Sequence, residues 1–249
     1  AYGDRQSVLM GTDNPFFARG VAAPFALFKS IESPDMKTDQ HYRILIVGGG
    51  AAGISVAARL TRSLGKSADL AIIEPSSDHF YQPGWTLVGG GTFSLAATKR
   101  SEATLIPRYA RWLQDSVVSF DPANHAVETA TGQRIGYDYL VVAAGLQLNW
   151  GLVAGLKESV GRGGVCSNYS YETVSSTWDS IRNFKGGTAI FTHPATPIKC
   201  GGAPQKIMYL ADDAFRRQRV RQNSRVIFAI ANPNLFQVER YRVVLEQVA

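Results

Sequence analysis

The sequence predicts an α/β chain built on a parallel sheet, and three observations carry that reading. An aliphatic run, Arg43-Ile44-Leu45-Ile46-Val47, leads straight into G-x-G-x-x-G at Gly48, Gly50 and Gly53. A helical pattern through Arg62 follows, then a second aliphatic run, Leu70-Ala71-Ile72-Ile73, which ends on Glu74. From Thr188 the same order of strand, turn, helix and strand begins again. Strands joined by crossover helices pair in parallel, so the expected architecture is two Rossmann-like units in tandem.

The first unit has the spacing of a dinucleotide site. Gly48 permits the tight turn, Gly50 admits a pyrophosphate close to the backbone, and Gly53 lets helix and strand pack closely. The helix N-terminus offers N–H groups and a positive dipole end to phosphate. Glu74 lies 21 residues past Gly53, where a carboxylate would accept from a ribose hydroxyl.

Hydrophobic residues make up 45% of the 249 and charged residues 18%, which suits a chain that buries a core. The net charge of +6 comes partly from the run Arg216-Arg217-Gln218-Arg219-Val220-Arg221. A solvated helix end explains that run better than a nucleic-acid surface, because no nucleic-acid motif accompanies it. The two cysteines, Cys166 and Cys200, form no metal-ligand spacing and no disulfide framework, so a reducing compartment is expected. No apolar run reaches the length of about 18 residues that a spanning helix needs. The chain starts at Ala1 rather than Met, which reads as a processed, trimmed or incomplete start. Residues 1–40 mix basic residues with Asp4, Asp13, Glu32, Asp35 and Asp39, and read as a leader remnant or mobile arm.

After Glu74, residues 78–91 are aromatic with Pro and Gly punctuation, so the stretch is expected to begin as a loop. Its aromatics could pack a core or wall a flat ring system; composition favours the core. A short helix is expected around Arg108 to Leu113. Strands over Asp115 to Phe120, Ala126 to Thr129 and Gln133 to Tyr137 form a small meander. Tyr139 to Gly145 reads as a further, separate core strand that returns beside the first glycine turn. A glycine-rich link at Gly161 to Gly164 divides a nucleotide domain, 41–160, from a second unit, 161–249. There, helical periodicity spans Tyr171 to Phe184, a strand spans Thr188 to Phe191, a helix Pro204 to Arg217, a strand Arg225 to Ala231 and a last helix Val238 to Val248. A doubly wound domain needs more strands than this, so the second unit is expected to be incomplete.

The two turns differ in chemistry. In tandem-nucleotide enzymes the first unit holds FAD and the second commonly holds NAD(P)H on its own glycine fingerprint. Here the second turn, residues 193–204, carries Pro194, Pro197, Cys200 and Pro204 and lacks G-x-G-x-x-G. The contrast assigns FAD to the first turn and makes Cys200 a candidate nucleophile. Cys200 lies just ahead of a helix that Pro204 opens, with Lys199 and Lys206 nearby, a setting that favours a thiolate. A buried, inert cysteine is the alternative, but the flanking Gly201-Gly202 and two prolines argue for a shaped loop and favour the reactive reading. Cys166 reads equally as a redox or a packing residue. His41, His79, His125 and His193 show no ligand spacing and read as structural, so no metal is expected.

His79-Phe80-Tyr81-Gln82-Pro83-Gly84-Trp85-Thr86-Leu87-Val88-Gly89, together with Pro197 through Leu210, closely resembles the eukaryotic, mitochondrial-type sulfide:quinone oxidoreductases. Ser167-Asn168-Tyr169-Ser170 and Asp138 through Gly145 fit the same family, and the resemblance spans residues 42–249. It implies tandem domains of the glutathione-reductase type with FAD on the first. Ala52 and Gly53 would lie near the phosphates, Glu74 would hold the ribose, Gln82 would add a contact and the Val117 backbone would meet the adenine side. Cys200 matches the family's persulfide-forming cysteine. In such enzymes two cysteines are bridged through sulfur, and sulfide opens the bridge. The electrons then pass through flavin to ubiquinone, and the sulfane sulfur goes to glutathione, sulfite or cyanide.

The resemblance places the partner cysteine, a second flavin motif and membrane-docking elements downstream of Ala249. The chain by itself would then bind FAD poorly and not turn over. It also implies a mitochondrial protein peripheral to the inner membrane. Two rivals stand beside it: an NADH-dependent flavin or quinone reductase, and a truncated, non-catalytic flavin-binding homologue.

Overall fold

The computed structural model describes residues 38–196, 200–231 and 233–248. Most of the expected N-terminal arm therefore lies outside the described residues, as do Pro197, Ile198 and Lys199.

The first unit runs β1 (Gln40–Val47), α1 (Ala51–Leu64), β2 (Leu70–Ile73), β3 (Asp78–Phe80), α2 (Trp85–Gly89), β4 (Lys99–Ser101), β5 (Ala110–Leu113), β6 (Val117–Asp121), β7 (Ala126–Thr129) and β8 (Arg134–Val142). Six strands form one sheet in the order β5-β2-β1-β8-β7-β6. The first four are mutually parallel, and β8-β7-β6 continue as an antiparallel meander.

Burial on both faces explains why β1 and β2 read as unbroken aliphatic runs. Ile44, Ile46, Leu70 and Ile72 pack on Ala57 and its neighbours in α1. Leu45, Ala71 and Ile73 point the other way, against Val127 and Ile135 of the meander. Each of these leucine, isoleucine and valine side chains removed from water contributes about 1.5–3 kcal/mol before entropy is counted.

Three expectations are corrected. The segment around Arg108 to Leu113 is the edge strand β5, not a helix, in register with β2 from Leu70↔Ala110 to Ile73↔Leu113. Ala110 joins the α1-side core and Leu113 the opposite one, which is strand geometry. Trp112 fastens the pair by donating its indole N–H to the Glu74 carbonyl at 2.8 Å. Second, the aromatic stretch begins as strand β3, paired antiparallel with β4, rather than as a loop, and its residues 85–89 are helical, forming α2. Third, the two strands expected over 133–145 are one. Asp138 does not interrupt β8 because it sits exposed and takes a 2.9 Å hydrogen bond with His41 on β1.

The aromatics of this stretch divide. Phe80, Trp85 and Tyr171 cluster with Val88 and Val174, the core role that composition favours. Tyr81 is exposed.

The second part contains α3 (Leu156–Ser159), α4 (Val174–Arg182), β9 (Gly187–His193), α5 (Ala203–Arg217), β10 (Ser224–Ile230) and α6 (Glu239–Val248). β9 and β10 pair in parallel from Gly187↔Ser224 to His193↔Ile230. Crossover helix α5 buries Ile207, Ala211, Ala214 and Phe215 against Ile181 of α4. The glycine-rich link is a tight turn closed by the 2.7 Å bond from the Gly161 N–H to the Val165 carbonyl. At the end of α5 two aspartates offset part of the basic run: Arg216 and Arg221 bind Asp212, and Arg217 binds Asp213. No helix among the described residues is long and apolar enough to cross a membrane.

Candidate dinucleotide turn and cysteine loop

The glycine turn connects β1 to α1. Gly48 has φ +104°, and a side chain there would drive into the Ala143 backbone just past the end of β8, with its carbonyl carbon at 2.7 Å. A Cβ on Gly53 would strike the Gly48 carbonyl oxygen, so the close helix–strand contact does require glycine. Gly50 differs: a Cβ there would meet no protein atom within 4 Å. Gly50, Ala51 and Ala52 are exposed, so the first turn of α1 opens onto free space. The first N–H groups of a helix have no intrahelical partner, and here they face an opening that an anionic group could fill. The residues present therefore fit the diphosphate of a dinucleotide.

Glu74 stands at the end of β2, half-buried, and both carboxylate oxygens already have backbone partners. Oε2 accepts from the Gly49 N–H at 2.7 Å and Oε1 from the Ser76 N–H at 2.8 Å. Each oxygen retains a lone pair for a ribose hydroxyl. The acid thus also ties β2 to the turn.

Behind the turn sits a pair that the sequence reading did not single out. Glu102 is 1% exposed. Its Oε2 lies 3.1 Å from His79 Nδ1, and the same Nδ1 lies 3.2 Å from the Gly49 carbonyl oxygen. A carbonyl can only accept, so Nδ1 carries the proton. Burial raises the Glu102 carboxyl above the ordinary range, with His79 opposing the shift and Glu74 adding to it. Its Oε1 is buried without a hydrogen-bond partner, on the side where a Cβ on Gly49 would stand.

The other expected contacts sit on separate elements. Gln82 is exposed on the turn Gln82–Gly84 that opens α2. Val117 begins β6, half-buried, paired with Thr129 and packed on the meander-side core.

Cys200 is exposed just ahead of α5, and Pro204 occupies the first turn of that helix. Its carbonyl accepts from the Ala203 N–H at 3.3 Å and from the Tyr169 hydroxyl at 3.4 Å. Lys206 lies exposed on α5, and Lys199 falls outside the described residues. Burial, and secondarily the neighbouring Cys200, push the Tyr169 phenol up to about 12, so it stays a donor throughout the physiological range. The segment bearing Tyr169 is pinned to the first unit, because the Asn168 side-chain amide donates to Thr86 Oγ1 of α2 at 3.0 Å. Next to it Gly90, just past α2, allows close approach: a Cβ there would press on the Leu210 side chain of α5. Cys166 is half-buried in the stretch before Asn168. Among the described residues no group of three or more His, Cys, Asp or Glu could hold a metal ion.

Strand, glycine turn, helix, strand and acid define a dinucleotide-binding α/β protein of Rossmann-like fold. The family model described as pyridine nucleotide-disulphide oxidoreductase matches residues 42–172, and the chain belongs to that family. It is 48% identical over 208 residues to the mitochondrial sulfide:quinone oxidoreductase of Dictyostelium discoideum, covering 83% of this chain and 46% of the relative. Against the mitochondrial sulfide:quinone oxidoreductase of Mus musculus the identity is 43% over 208 residues, covering 84% and 46%. The solved sulfide:quinone oxidoreductase of Aquifex aeolicus has the same fold, with a TM-score of 0.67 at 22% identity over 84% of this chain and 48% of that one. The chain spans about half the length of the curated relatives it matches.

Proposed function

We propose that this chain carries the cofactor-binding and sulfur-accepting part of a sulfide:quinone oxidoreductase. The supporting observation is the contrast between two turns. The turn between β1 and α1 is open, glycine-lined and backed by Glu74. The turn between β9 and α5 presents an exposed Cys200 and has no glycine fingerprint.

In this reading residues 41–160 bind FAD and residues 161–249 carry the cysteine. Gly48, Gly50, Ala52 and Gly53 receive the diphosphate, Glu74 holds the adenosine ribose, Gln82 adds a polar contact, and the Val117 backbone borders the adenine. Bound FAD supplies a two-electron acceptor between a thiol and a quinone. Cys200 takes the sulfide sulfur as a persulfide, a two-electron oxidation whose electrons would pass to the bound FAD as two protons leave, and the outer sulfur is handed to a nucleophilic acceptor such as glutathione, sulfite or cyanide. Tyr169 holds the Cys200 carbonyl, so the loop keeps its place as the sulfur is loaded and unloaded. The electron pair ends on ubiquinone. By likeness to relatives named as mitochondrial, the protein works in mitochondria, at the face of the inner membrane where a quinone is reached.

Anaerobic titration of the flavin-loaded protein tests the reading. Sulfide should bleach the flavin absorbance, and NADH should bleach it far more slowly. Rapid bleaching by NADH with none by sulfide would instead make the protein an NADH-dependent reductase.

A further inference from the structure

We infer that His79 and Glu102 are positioning residues for the diphosphate: through the Gly49 carbonyl they aim the Gly50 N–H at the ligand. This rests on reading the first turn as a diphosphate site and adds to it the device that presets one of its donors.

The argument starts with the peptide between Gly49 and Gly50. The described residues contain no cis peptide bonds. In a trans peptide the C=O and N–H point in opposite directions, so whatever holds the Gly49 oxygen also aims the Gly50 N–H. His79 Nδ1 holds that oxygen from behind the turn at 3.2 Å. The Gly50 N–H is thereby directed away from His79, at a residue that is exposed and where an added Cβ would meet no protein atom within 4 Å. The peptide before it is fixed in the same way, because Glu74 takes the Gly49 N–H at 2.7 Å.

Glu102 fixes the imidazole. The His79 Nδ1–H is shared between the Gly49 oxygen and Glu102 Oε2, an ordinary three-centre arrangement. The His79 side chain is 11% exposed and that of Glu102 1%, so the ring has little freedom to leave this orientation. The pair also accounts for glycine at the second position of the motif. A Cβ on Gly49 would lie 2.6 Å from Glu74 Cγ and would collide with Glu102 Oε1. A donor held ready before the ligand arrives costs no reorganisation on binding, the usual gain from preorganisation.

The test is calorimetric titration of the full chain with ADP and, separately, adenosine. Both carry the ribose that Glu74 would meet, but only ADP carries the diphosphate. H79L should weaken ADP about tenfold, the scale of one lost hydrogen bond, and leave adenosine within about twofold. H79N, whose amide N–H can replace Nδ1–H, should restore ADP affinity. If circular dichroism shows H79L unfolded, H79N is compared with H79D, its isostere with an acceptor in that place, and only H79D should lose ADP selectively. Equal weakening of both ligands, or of neither, overturns the proposal. A wild-type chain that binds adenosine but not ADP any better would overturn the diphosphate reading itself.

Discussion

The hydroxyl of Tyr169 donates to the backbone carbonyl of Cys200 at 3.4 Å, bridging 31 residues of sequence. With Asn168 anchored on Thr86 of α2, this contact couples the cysteine loop to the unit that bears the glycine turn. The cysteine loop and the first unit are thus joined through one short segment.

Tyr169→Phe should therefore loosen the loop while keeping the ring. The loss is one hydrogen bond, about 0.5–1.5 kcal/mol. Hydrogen exchange should speed up at Ala203, whose N–H bonds the Cys200 carbonyl, and urea unfolding should report a stability loss of about the same size. Unchanged exchange at that amide would show that the phenol does not restrain the loop.

Gly49→Ala and Gly50→Ala should separate folding from binding. An added methyl on Gly49 meets Glu74 and Glu102, and overpacking of this kind costs about 1–3 kcal/mol. Gly50 has no neighbour on that side, so Gly50→Ala should cost about 1 kcal/mol or less, mainly through its helix-cap position, yet lose flavin. Thermal melts and flavin absorbance measure the two effects. A Gly50→Ala protein that retains full flavin would place the cofactor elsewhere.

Glu102 should tilt stability with pH. Burial raises its folded pKa above the ordinary value. The folded chain then holds this proton more tightly than the unfolded one. The resulting stabilisation is complete below the unfolded pKa, about 4.3, and is lost as pH rises through the raised folded value. Glu102→Gln mimics the neutral form at every pH and should flatten that stretch of the pH–stability curve, as urea midpoints from pH 4 upward would reveal. An unaltered slope in the variant would mean that Glu102 does not titrate there.

Much of this arrangement is legible in the sequence. β1, α1 and β2 declare themselves because two-sided burial demands unbroken aliphatic runs and the turn demands glycine. The proline-bearing second turn singles out Cys200 as a candidate. β5 is not legible, since its four residues Ala110–Leu113 are too few to separate a period of 2 from one of 3.6. α2 is hidden because an aromatic stretch broken by Pro and Gly looks like a loop until Trp85 is seen packed on Tyr171. His79 and Glu102 are 23 residues apart, and no local pattern tells a carboxyl that faces a histidine from one that faces water. Glu74 is visible as the expected acid, but its bond to the Gly49 N–H appears only once β1 and β2 are side by side.

The proposed function stands on Cys200 accepting the sulfur of sulfide beside a bound flavin. Its most direct test is to treat the flavin-loaded protein with sulfide under anaerobic conditions, alkylate it at once and map the cysteine peptides by mass spectrometry. The expected result is one added sulfur on the Cys200 peptide, absent in Cys200→Ser together with flavin bleaching. Bleaching that persists in Cys200→Ser, with no sulfur found on Cys200 in the unaltered protein, would contradict it.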